Sequence, residues 1–138
     1  MLNRIEQGSI SLAVVSALVG CAAVTASAQD SPKENKGLTA VELRSIDLTS
    51  EIDSVQGRRL RLRRLTLEPG GVVAVHSHQD RPTVLHVIKG TLTSHPQGKP
   101  VQVLNAGDGL AEGKEANHWV QNTGNEIAEF ITVDVFKD

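Results

Sequence analysis

From Val41 onward the chain is a succession of short runs of Val, Ile, Leu and Thr, broken by Gly, Pro, Asn and Asp. This punctuation leaves little room for anything but β-structure. The runs predict strands at 41–47, 58–67, 72–77, 83–89, 91–94, 101–104, 109–111, 117–121 and 127–136. No window sustains a helical period, and the helix-like stretch SEIDSVQG is too short to count. The stretch EFITVDVF alternates only in part. Many short strands at close spacing predict an all-β sandwich or barrel.

A length of 138 residues predicts one domain. The formal net charge is -2, with both signs spread along the chain, which argues against a nucleic-acid partner. Tyr is absent and there are only one Trp and two Phe, so stacking platforms for bases or sugars are scarce.

Residues 1–28 read as an export signal. Arg4 gives a weakly basic start, ISLAVVSALVG is an apolar segment too short to span a bilayer, and Ala26-Ser27-Ala28 is a cleavage site before Gln29. This predicts a periplasmic or secreted protein. A rival reading takes Leu18-Val19-Gly20-Cys21 as a lipobox, with lipidation at Cys21 as the one route to a membrane. Cys21 is the only cysteine, so no internal disulfide forms and the fold rests on its core and any bound ligand. The polar stretch QDSPKENKGLTA, residues 29–40, reads as a disordered spacer. Residues 41–138 are then the folded unit.

His76 and His78 stand one residue apart in a strand-like run. Residues i and i+2 share one face, roughly 6.6–7 Å apart. From there two imidazoles can tilt toward one ion at about 2.0–2.1 Å. Alone, the pair reads rather as two surface histidines on an edge strand.

The context is more specific. Gly70 is followed after five residues by His76, Ser77 and His78, then four residues, Thr83, six residues and Gly90. Later come Gly107, Gly113, Glu115, His118 and Asn122. These two linked patterns resemble the motifs of the cupin superfamily, in particular its small single-domain members. Seven positions match, and the departures are Thr83, Gly113 and Glu115. The resemblance implies a jelly-roll β-barrel holding a divalent transition metal on His76, His78 and His118. Iron leads the candidates, with Zn, Mn, Ni and Cu open as well. It also implies a homodimer. Thr83 stands where the family usually has a metal-binding Glu, which implies a neutral, open, more weakly binding site. An anionic small-molecule ligand suits such a site.

Other residues are secondary candidates. Arg81 is placed to clamp a substrate carboxylate, with a surface ion pair to Asp80 as the alternative. Thr83 and Asn122 are candidate outer groups of the site, and Asn122 reads equally as a turn residue. If Thr83 points inward, so do Leu85 and Val87, which sends His86 outward. His95, in SHPQGKP, reads as solvated in a hairpin loop, and Trp119 as packing. The run RRLRLRR, residues 58–64, reads as a solvated strand paired with acids elsewhere, or as an anion-binding or dimer surface. Three function classes remain: a metal-dependent, oxygenase-like enzyme on a small anion, a non-catalytic binding or sensing module, and a metal-free dimer scaffold. No carboxylate is expected in the pocket, so chemistry would rest on the metal.

Overall fold

The computed structural model describes residues 30–137. The export signal expected at 1–28 and the alternative lipidation site at Cys21 lie outside them. The described residues form eight strands and no helix: β1 (Lys36–Asp47), β2 (Arg59–Ser77), β3 (Thr83–Lys89), β4 (Thr91–Pro96), β5 (Gln102–Asn105), β6 (Gly109–Glu112), β7 (Asn117–Asn122) and β8 (Ala128–Phe136). All pairings are antiparallel, in the order β5-β4-β7-β2-β8-β3-β6, with β1 added on β2.

β2 carries the architecture. The runs 58–67 and 72–77, expected as separate strands, are one 19-residue strand whose register and partner change across Pro69-Gly70-Gly71. Its first half pairs with β8, and its second half pairs with β7. One strand thus joins the β5-β4-β7 side to the β8-β3-β6 side of a single eight-stranded sheet, which curls into a nearly closed barrel. Gly70 has φ of 70°, in the left-handed region where a side chain is strained. Gly71 has no room for one, since a Cβ there would meet the carbonyl oxygens of Glu68 and Lys36 at 2.8 Å.

The spacer expected at 29–40 is corrected in part. β1 begins at Lys36 and pairs with β2 through Leu38↔Leu67 and Ala40↔Leu65. Upstream of it, Asn35 Oδ1 accepts from the Ala74 amide at 2.8 Å, and Pro32 O accepts from Val75 at 2.9 Å. The polar composition misleads because an added edge strand is held by backbone bonds, which composition does not report.

The inner face changes character along the barrel. Ala128 pairs with Leu67, and Phe130 with Leu65 and Val87; these form the buried core with Leu85, Leu92 and Val120. Further along, Thr132 pairs with Arg63, and Asp134 with Arg61 and Thr83. Thr83 pairs in turn with Glu112. One end is therefore closed by hydrocarbon, and the other is lined with charge.

Candidate metal centre

His76 and His118 are register partners on β2 and β7, so their side chains leave the ladder on one face. His78, two residues on, joins them. The Nε2 atoms converge: 3.1 Å from His78 to His118, and 3.1 Å from His118 to His76. His78 and His118 are buried, and His76 is partly buried.

The outer nitrogens decide what the inner ones can do. His76 Nδ1 donates to Ala74 O at 2.8 Å. His78 Nδ1 donates to Thr83 Oγ1 at 3.0 Å and shares that proton with Arg81 O at 3.1 Å, while the Thr83 hydroxyl itself donates to Arg81 O. Both rings therefore turn bare Nε2 lone pairs inward in their neutral form. His118 Nδ1 meets Ser94 Oγ at 2.8 Å, so at most this one ring places a proton among the three nitrogens. Converging lone pairs repel unless a cation lies between them. Ligands about 2.0–2.1 Å from one ion stand roughly 2.8–3.4 Å apart between octahedral and tetrahedral angles. The observed 3.1 Å separations match. The group fits a divalent metal, with outer partners that orient each ring.

Thr83 lies where expected, inward and buried, but its observed role is to orient His78. The expectation of a site without a carboxylate is overturned. Glu112 is buried, with Oε1 3.0 Å from His118 Nε2 and Oε2 3.3 Å from His78 Nε2. Neither motif specifies it: it falls in the unspecified gap between Gly107 and Gly113 of the second pattern. The only local sign is that it shares parity with Leu110 at the end of a short strand.

Burial drives the His76 pKa down from 6.5 to about 4, against the pull of the Ala74 carbonyl. Burial also lowers His78, and Glu112 opposes it. Burial pushes the Glu112 carboxyl up, but the hydrogen bond from His118 and the three imidazoles outweigh it, and the net direction is down. For the metal-free chain the sign is clear. Unfolded His76 gains a proton near pH 6.5 and folded His76 only near 4. The unfolded state binds more protons in between, so stability is complete above 6.5 and falls as pH drops toward 4. Glu112 adds a loss in the same direction below its ordinary 4.5. Chelator-treated protein should show a lower urea midpoint at pH 5 than at pH 7.5, and His76→Gln should flatten that dependence.

The cluster opens on a cavity of about 320 Å³. Its walls are largely apolar, including Leu38, Leu65, Val73 and Phe130, and Arg63 and Arg81 also line it. Arg81 does not pair with Asp80, which is taken by Arg58. Arg81 instead stands 3.9 Å from Asp134. Arg63 Nε and Thr132 Oγ1, both on cavity-lining residues, are buried without a hydrogen-bond partner among the described residues. Alternate residues of the basic run turn inward: Arg61 grips Asp134 with two bonds, at 3.0 and 2.8 Å, and Arg63 adds one at 3.0 Å.

Asn122 does not join the site. Fully buried, it donates to Leu67 O at 2.8 Å and Glu126 O at 2.7 Å, and accepts from the Gly124 amide at 2.9 Å. It ties the turn before β8 to β2, the turn role of its two readings. Asn122→Ala should cost about 1–3 kcal/mol in urea unfolding, the usual penalty for orphaned buried partners, with metal stoichiometry unchanged. His86 is exposed, as parity requires. His95 is not in a solvated loop. It lies in β4, opposite Trp119 in register, with the rings stacked at 3.7 Å.

Comparison with known proteins agrees with this architecture. A family model described as "Cupin domain" matches residues 63–134. A protein of Thermotoga maritima named "Oxalate-binding protein" is 33% identical over 70 residues, which cover 51% of this chain and 57% of the relative. The chain thus spans little more than half of that curated relative. Among solved structures, a predicted oxalate decarboxylase from Thermotoga maritima superposes with a TM-score of 0.58 at 22% identity, covering 78% of this chain and 94% of that one. An oxalate oxidase in complex with the substrate analogue glycolate gives 0.55 at 20% identity, covering 72% of this chain and 51% of that one. At these identities the structural likeness speaks for the fold alone.

Proposed function

We propose, from the premise that this chain belongs to the cupin-domain family, that it binds a small carboxylate of the oxalate class beside a divalent metal held by His76, His78 and His118, and turns it over oxidatively. Iron is the first candidate for the metal, with Mn, Zn, Ni and Cu as alternatives. The observation that carries this reading is the joining of a metal-type histidine cluster and two arginines, Arg63 and Arg81, in one cavity. Arginines in a cavity with apolar walls suit a bidentate anion, and the unpartnered Arg63 Nε and Thr132 hydroxyl are donors such a ligand would engage. The names of the relatives support the oxalate class.

A bound divalent metal would supply Lewis acidity and, for iron or manganese, redox capacity. The chain's own residues do the rest. Ala74 O, Thr83 and Ser94 fix the imidazoles, Arg63 and Arg81 orient the anion, and the apolar wall excludes water. A second reading, binding without turnover, is supported by the name of the Thermotoga maritima relative at 33% identity.

The test is calorimetric titration of metal-loaded protein with oxalate, glycolate and acetate, together with assays of O2 uptake and CO2 release. Binding with turnover supports the enzyme, and binding alone supports the module. No binding of any carboxylate would sink both. The proposal includes export, directed by residues 1–28 or by lipidation at Cys21, which mass spectrometry of the mature N-terminus distinguishes. It also includes a homodimer. Val41, Ile46, Leu60 and Val84 are exposed on the outer sheet face, which favours a second copy there, and sedimentation tests it.

A further inference from the structure

We infer that Glu112 is itself a ligand of the metal centre, supplying from β6 the carboxylate that position 83 lacks. This rests on the metal reading above.

Thr83 and Glu112 are paired in register across β3 and β6, and both are buried. Directly opposed residues have Cβ atoms about 4.5–5.5 Å apart on one face. A carboxylate rooted at 112 therefore enters the space that a longer side chain at 83 would reach. Its oxygens lie 3.0 Å and 3.3 Å from two of the three converging nitrogens. These separations fall in the same range as the 3.1 Å between the nitrogens, as for neighbouring corners around one ion.

The surroundings offer Glu112 little else. Among the described residues, no Lys or Arg pairs with it, and no hydroxyl or backbone amide donates to it. A buried carboxylate without a counter-charge is costly. At most one proton, on His118, is available among the Nε2 atoms facing it. A dication bound to three nitrogens and this carboxylate satisfies every group at once. The centre is then three histidines and one carboxylate rather than three neutral ligands. Its net charge falls by one, and its donor set becomes harder, which favours iron or manganese over softer ions.

The experiment titrates Mn2+ and Zn2+ into the full chain, into Glu112→Gln, into a Thr83→Glu, Glu112→Thr exchange, and into His76→Ala, His118→Ala as the reference without a site. Readouts are metal stoichiometry after dialysis, the EPR spectrum of bound Mn2+, and thermal unfolding of the metal-free forms. A ligand role predicts that Glu112→Gln loses Mn2+ affinity by more than the roughly 10–100-fold typical of losing an outer partner. It also predicts that metal-free Glu112→Gln, which keeps the volume of the side chain and loses only the charge that His118 favours, still unfolds as one cooperative transition. The exchange variant should recover most of the affinity. Unchanged Mn2+ affinity in Glu112→Gln overturns the inference alone. Lost affinity in a Glu112→Gln chain that no longer unfolds cooperatively without metal, and that the exchange variant does not restore, assigns Glu112 a packing role and overturns it too. A parent chain that binds neither ion, like the double histidine variant, overturns the metal reading and this inference with it.

Discussion

The His76→Ala, His118→Ala variant is expected to retain no metal under conditions in which the parent chain retains close to one ion. Both residues leave one rung of the β2–β7 ladder, so their removal strips two of three converging nitrogens and leaves His78 alone with Glu112. The effect should also be visible in stability. A ligand that binds only the folded state adds about 2.7 kcal/mol at 100-fold excess over its Kd. For a domain of this size that is on the order of 10 °C in Tm. The parent should therefore melt lower after chelation and recover on readdition of metal, and the variant should respond to neither. A variant that still binds one ion tightly would place the metal elsewhere. A metal-free parent with unchanged Tm would leave the histidines without the role their geometry suggests.

Asp134→Ala should be among the most destabilising single substitutions in the barrel. Asp134 is about 1% exposed and holds Arg61 through two bonds and Arg63 through one, with Arg81 3.9 Å away. Removing one partner from a buried ionic group typically costs about 3–5 kcal/mol, because the remaining charges are left in a poorly solvated place. Urea unfolding measures this directly. Asp134→Asn should recover little, since it keeps the volume but not the charge. A loss below about 1 kcal/mol would show that water reaches the arginines and neutralises the argument. Buried Asp134 also explains why Arg63 and Arg81 lie together beside the cavity, because it offsets part of their mutual repulsion.

The basic run shows where reading a sequence stops. Its alternation puts Arg61 and Arg63 on one face and predicts pairing with acids elsewhere. That face, however, is the barrel interior, and the acid lies 73 residues away from Arg61. The same limit applies to Asn122 and His95. Their types and spacing suggest a site residue and a loop residue, whereas hydrogen bonds to Leu67 and Glu126 and a stacked Trp119 decide otherwise.

By itself the sequence determined what depends on local spacing. Period-two alternation sends Thr83, Leu85 and Val87 inward and His86 outward and puts His76 and His78 on one face, while His118 joined them only through the resemblance to the cupin motifs. Tertiary structure alone decided what depends on register between distant strands. It set Glu112 opposite Thr83, 29 positions apart in the chain, and Asp134 opposite Arg61. The physical reason is that side-chain parity is written into each strand, whereas which rung meets which is settled by register shifts, bulges and turn closures acting together, as at Pro69-Gly70-Gly71. A carboxylate can therefore reach the centre from a strand that no motif names.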